Sequence, residues 1–378
     1  MKKVLLSFAV MAMSSTAMGQ ALNPAMGQGM NPLIELPTVN PAQVKTVKEE
    51  GLKGNVLAVK YGKYVYKENF GEAEAGAPWN YWVSYFDENG RVIIQRTIGY
   101  GNEMSDYSEE TISSYVFDYT TEGDGMDVVA LGIEAYTSGI PFIDLLTTEG
   151  YEDKIMADRG IKRKPGATNK HEIKFTKNGI LTLYNFYSLR GTLEEKLIGK
   201  QNADKTWKFT KYKSSGEACE ENTRTFNANG QLTKLEYSQY GPNHYQYNGT
   251  IKTAPAGIYK YDAKGRLISF QNPKEPFNMT YTVVYNDKGD MTNVVASWEK
   301  SGRPGTPKKK EKDESKEYSD YVYDSHGNWI SRVVWNHQQK PRFIEKREFI
   351  YCASKEELKE KAAQIYQSAG GIIKAQQK

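Results

Sequence analysis

The sequence predicts a mainly β fold: tandem antiparallel β-hairpin repeats forming an extended or curved sheet, with a short C-terminal helix. Two observations predict the sheet. A turn pattern, Tyr/Phe-Asp/Asn-x-x-Gly, recurs between positions 85 and 330, and the runs beside it alternate aromatic and β-branched residues. A third observation, an amphipathic segment after position 353, predicts the helix.

At the N-terminus, Lys2 and Lys3 precede the apolar stretch Val4 to Met13, and small residues follow up to Ala17-Met18-Gly19. This is the charged head, apolar middle and small-x-small exit of a secretory leader, so residues 1–19 are expected to be a signal peptide. Its loss removes two of the 50 basic residues against 46 acidic ones, leaving a net charge of +2. That balance gives no reason to expect a nucleic-acid partner. No later stretch is apolar enough for a transmembrane helix. Residues 20–50, with Pro24, Pro32, Pro37 and Pro41, read as an extended tether.

The hairpin domain is expected over 51–352, with a first strand from about Asn55 to Tyr66. Its strong turns are Tyr85-Phe86-Asp87-Glu88-Asn89-Gly90, Tyr261-Asp262-Ala263-Lys264-Gly265, Tyr285-Asn286-Asp287-Lys288-Gly289 and Tyr323-Asp324-Ser325-His326-Gly327. Asp or Asn can bond to the backbone two residues on, and Gly accepts the left-handed conformation that closes a bulged hairpin. Weaker copies lie at Phe175–Gly179 and Phe226–Gly230, and a stretched one runs from Phe117 to Gly125. The shortest interval, Gly265 to Gly289, suits one strand out and one back. The turns should therefore line one edge, and the long segments 137–170, 239–256 and 301–316 the other.

The units resemble the YD repeats of the RHS family, best at Ile258-Tyr259-Lys260-Tyr261-Asp262-Ala263-Lys264-Gly265-Arg266-Leu267. The resemblance implies long hairpins laid side by side, which in large members curl into a shell around a toxin. Here the units are few and unevenly spaced, and small exported bacterial proteins with scattered copies are the closer comparison.

Residues 353–378 form the terminal element. Ser354-Lys355-Glu356-Glu357 is a capping box, and Leu358, Ala362, Ile365 and Tyr366 share one helical face ahead of Gly370-Gly371. The helix is expected to lie over the last strand as a lid on an exposed sheet edge.

Catalytic patterns are sparse. His171, His244, His326 and His337 are the only histidines and lack metal-site spacing, so no metal or cofactor is expected. Glu122-Gly123-Asp124-Gly125 lacks the order of a calcium loop and reads as a turn. No Gly-x-Ser-x-Gly elbow is present, and the Lys308-Lys309-Lys310 run, answered at once by acidic residues, reads as a solvated loop. For Cys219 and Cys352 the sequence leaves both a disulfide and two free thiols open. Tyr240, His244, Tyr245 and Tyr247, in a loop, are the candidate contact surface. The expected function is that of a non-catalytic exported scaffold or binding protein of the bacterial envelope, periplasmic or secreted, contacting a protein or glycan through its long loops. A hydrolase of envelope polymers and an outer-membrane β-barrel are the alternatives.

Overall fold

The computed structural model describes residues 46–48, 50–99, 109–122, 125–138, 169–188, 191–239, 257–272, 277–300, 309–336 and 339–376. Eighteen strands and one helix follow in order: β1 (Val56–Asn69), β2 (Glu72–Phe86), β3 (Val92–Gly99), β4 (Glu109–Glu122), β5 (Gly125–Ser138), β6 (Asn169–Thr176), β7 (Leu181–Tyr187), β8 (Leu193–Gln201) and β9 (Trp207–Lys213). They continue as β10 (Ala218–Phe226), β11 (Leu232–Gln239), β12 (Gly257–Tyr261), β13 (Leu267–Asn272), β14 (Phe277–Tyr285), β15 (Met291–Lys300), β16 (Lys309–Tyr323), β17 (Trp329–Trp335), β18 (Pro341–Tyr351) and α1 (Lys355–Gln376).

Each strand pairs antiparallel with the next, and β18 pairs with β1, as in Val59↔Phe349 and Tyr61↔Arg347. The result is a closed, 18-stranded, up-and-down barrel. Two expectations are corrected by that closure. The sheet is neither extended nor merely curved, and the chain is not an RHS/YD-repeat protein: its hairpins form one ring rather than an open-ended repeat array. Turn chemistry is local and can be shared by any meander, whereas closure depends on the twist and stagger summed over all the strands.

The turn chemistry itself is present and has a further part. In the β2–β3 turn, Asp87 Oδ1 accepts the amides of Asn89 at 2.9 Å and Arg91 at 2.8 Å, and Oδ2 accepts Arg91 Nε at 2.7 Å. Asp262 binds Lys264 and Arg266 in the same way, and Asn227 Oδ1 accepts Asn229 and Gln231. The following hairpin then locks onto this one. Tyr119 donates its hydroxyl to the Val92 carbonyl at 2.6 Å, Tyr261 to Leu232 at 2.9 Å, Tyr285 to Leu267 at 2.9 Å, and Tyr321 to Met291. Arg91 lies over the Tyr119 ring and Arg266 over Tyr285. The recurring tyrosine thus buckles one hairpin to the next.

All of these turns lie at one end of the barrel, because each joins an even-numbered strand to the following odd one. At that end the hairpins converge: a Cβ on Gly230, whose φ is +75°, would lie 2.0 Å from the Asn178 carbonyl oxygen in the β6–β7 turn. The opposite end holds the β1–β2 hairpin and the turns after β7, β9 and β17; the segments 139–168, 240–256 and 301–308 lie outside the described residues, as do residues 1–45 with the expected leader. Lys309 and Lys310, expected in a loop, belong to β16.

Alternation decides the two faces. Val59, Phe86, Phe117, Val128, Ile173, Phe175, Tyr184, Leu197 and Phe209 form one buried inward cluster spanning β1 to β9. Phe226 joins it to Leu235, Tyr259, Phe270, Tyr281, Val283 and Val294, and Met291 joins those to Tyr318, Val334 and Phe343. A round barrel of this strand number has room for an aqueous channel; here the inward residues named, apart from the partly buried Phe226 and Met291, are all less than a tenth exposed, so this band of the interior is packed. Outward positions include exposed Lys174, Lys208, Lys234, Glu236, Lys260 and Glu348, several in ion pairs such as Lys208–Glu221 at 2.8 Å.

Helix α1 packs on the outer wall. Leu358 and Ala362 are buried with Leu57, Ala58, Val83, Tyr85, Ile94, Val116 and Cys352, and Ile365 and Tyr366 pack beside them. Ser354 Oγ accepts the Glu357 amide at 3.1 Å, and Glu357 Oε2 in turn accepts the amide of Ala353, the residue before the cap, at 2.6 Å. The helix is not a lid on a free edge, because β18 is paired on both sides. It also runs through Gly370-Gly371: glycine weakens a helix but ends it only when it takes the left-handed cap. Cys219 and Cys352 are free thiols.

Candidate functional site

Tyr240, His244, Tyr245 and Tyr247 fall between the end of β11 and the start of β12, outside the described residues; their flanking strands bring them to the loop end. The described histidines do not assemble a site. His171 is buried and inward, 2.8 Å from the Tyr184 hydroxyl, and His326 is exposed in the β16–β17 turn, stacked on Tyr351 at 3.8 Å. Among the described residues no group of three or more metal-ligating side chains converges.

What the barrel does assemble is an inward cluster of arginine and aromatic side chains where β18 meets β1. Register places Tyr61 between Trp82 on β2 and Arg347 on β18, and Arg332 of β17 opposite Glu345. Tyr61 stacks on Trp82 with centroids 3.5 Å apart and meets Trp329 edge-on at 5.9 Å. The Arg332 guanidinium sits 4.1 Å from the Tyr318 centroid and 4.2 Å from Trp329, while Arg347 lies 3.9 Å over Trp329. Cations over aromatic faces gain most when desolvated, which is the situation here.

The two arginines are neutralised differently. Arg332 gives Nε and Nη2 to Glu345 Oε2 at 2.7 and 2.6 Å, a tight charge-assisted pair, and its Nη1 reaches the Tyr321 hydroxyl at 3.2 Å. Arg347 reaches Glu50 at 3.4 Å. Glu50 belongs to the segment preceding β1, which crosses the turn end. There the Val47 amide donates to Gly90 O, Lys53 and Asn328 exchange backbone and amide bonds, and Val47 and Leu52 join the inward apolar cluster.

The site thus packs two guanidinium groups against aromatic faces, with Glu345 and Glu50 as their carboxylate partners. Arg332 and Arg347 are not among the residues that the sequence singles out. The available signal was Glu345-x-Arg347-x-Phe349, a period-two run placing charges on the same face as a core aromatic.

No family model matches the chain, and no curated protein matches it. Among solved structures, a porin-like protein from Bacteroides uniformis aligns at 8% identity with a TM-score of 0.28, covering 79% of this chain and 99% of that one. A likeness of that degree leaves the functional reading to the geometry above.

Proposed function

We propose that the protein is an outer-membrane-type β-barrel of the bacterial cell envelope, in place of the open repeat scaffold. The observation that carries this is the closed meander with its sidedness. Eighteen antiparallel strands return β18 to β1; the connections from even to odd strands are all short, while those from odd to even strands mix tight turns after β1, β7, β9 and β17 with the long segments 139–168 and 240–256. The chain also enters β1 and leaves β18 at the turn end. Even strand number, short turns on one side and long loops on the other are the architecture of outer-membrane barrels, and the leader-like N-terminus supplies the export route. In this reading the interior is filled and the turn end obstructed by the Val47–Lys53 segment, so the barrel is not an open diffusion pore. Contact with a glycan or protein falls to the loop rim, where Tyr240, His244, Tyr245 and Tyr247 belong.

One observation favours a second reading, the same barrel working in water within the envelope. Lys174, Lys208, Lys234 and Lys260 point outward and are exposed, and a lysine facing lipid at the bilayer midplane costs about 2–4 kcal/mol. No helix of the described residues is long and apolar enough to cross a membrane, which bears on neither reading.

Envelope fractionation separates the two. An integral barrel stays in the outer-membrane pellet after alkaline carbonate or urea washing and migrates faster on gels when unheated. Release into the wash as a detergent-free soluble protein would replace the first reading with the second. Stepwise conductance in planar bilayers would overturn the filled interior.

A further inference from the structure

The geometry points to the β1–β2 hairpin as a docking finger, with Phe70 at its tip inserting into an apolar socket rimmed by basic residues on a partner protein. The ladder between β1 and β18 ends at Val65↔Phe343 and that between β2 and β3 at Asn80↔Gly99, yet β1 and β2 remain paired to Asn69↔Glu72. Residues 66–69 therefore carry the hairpin about 13 Å past the last β18 pair, at ~3.3 Å per residue. Residues 67–74 are all exposed.

Phe70 is 102% exposed, whereas the other exposed large apolar side chains of the described residues lie between 36% and 51%. Its backbone is also unfavourable. Phe70 has φ +52° and Gly71 +85°, the two positive values of a tight two-residue hairpin turn. The second position carries the expected glycine. The first normally carries Asn, Asp or Gly, and a bulky aromatic there is an outlier. Phe70 thus adds backbone strain and exposes its whole ring, and the fold recovers neither. Strain of this kind at an exposed tip is the mark of a residue retained for contact.

Charge selects the partner. Glu68 and Glu72 flank Phe70 symmetrically, and Glu74 faces Lys67 across the hairpin. Lys67, Glu68, Glu72 and Glu74, all within four residues of Phe70, carry a net charge of −2. An anionic membrane surface repels this tip, while a protein socket lined by Lys or Arg complements it.

The test is photocrosslinking in intact cells with the full chain carrying Phe70→p-benzoylphenylalanine, and Val284→p-benzoylphenylalanine on the outward wall as control. A protein adduct at position 70, absent at 284 and reduced at least tenfold by E68K/E72K, is expected. A lipid adduct, an adduct equal at both positions, insensitivity to E68K/E72K, or no adduct overturns the proposal. F70N, which suits the left-handed position, should melt no lower than wild type. A drop of several degrees would show that Phe70 serves the fold, and would overturn it as well.

Discussion

Removing the Asp87 carboxylate should destabilise the barrel by about 3 kcal/mol, and removing only its charge should cost about a third as much. Asp87 is 6% exposed and captures two backbone amides through Oδ1, while Oδ2 holds Arg91. In Asp87→Ala the amides of Asn89 and Arg91 lose their acceptor, at about 1 kcal/mol each for a partly shielded group. Arg91, 29% exposed on its side chain, loses a pair worth about 0.5–1 kcal/mol after solvent screening. Asp87→Asn keeps the Oδ1 acceptor, as Asn227 and Asn286 do at their own turns, and so loses only the Arg91 part. Urea midpoints at unchanged m-value measure the difference, and hydrogen exchange at the Asn89 and Arg91 amides localises it. The reasoning fails if Asp87→Ala lies within 0.5 kcal/mol of wild type. It fails equally if Asp87→Asn is as damaging as Asp87→Ala, because amide capture would then not be the dominant part.

Three further outcomes are expected. At the β16–β17 turn, burial pushes the Asp324 carboxyl up, but the Tyr351 hydroxyl and the amides of Asn328 and His326 hold it below the usual carboxylate range. A lowered folded-state value means stability present above the ordinary carboxylate pKa and lost as pH falls through the lowered one; Asp324→Asn should flatten that acid limb of the melting curve, and an unchanged limb would refute it. Arg332→Met takes the cation from Glu345, whose side chain is 5% exposed, and should cost about 3–5 kcal/mol, while Arg332→Met/Glu345→Leu recovers most of it; equal losses in both would show the cost to be packing rather than a buried charge that has lost its counter-ion. Leu358→Ala on α1, buried against Tyr85 and Val116, should weaken helix docking by about 2–4 kcal/mol. The readout is faster tryptic cleavage at Lys359 and Lys361 with the barrel's own melting transition in place, and unaltered cleavage would refute the docking account.

The sequence by itself determined the parts whose causes lie within a few residues. Gly90, Gly179, Gly230, Gly265, Gly289 and Gly327 all take positive φ; Asp87, Asp262 and Asp324 capture amides two and four residues on and Asn286 the one four residues on, so the turns were legible from local bonding. Because one hairpin spans the interval between neighbouring turns, the gathering of these turns at one end was legible too. So was the helix cap at Ser354. The tyrosine that precedes each turn was visible, but its hydroxyl partner lies 18 to 30 residues away on the previous hairpin, and only the assembled sheet supplies it.

Tertiary structure alone decided closure, the packed interior and the Arg332–Arg347 cluster. Val59 and Phe349 pair only if the twist and stagger of every intervening strand bring β18 back to β1, a global condition that no local pattern encodes. Alternation shows that a strand has two faces; it does not say which face will be enclosed. Until the ring closes, Arg347 is one more charge on a strand. Once it closes, the same residue lies inside over Trp329, and Glu50, from the segment crossing the turn end, becomes its counter-ion.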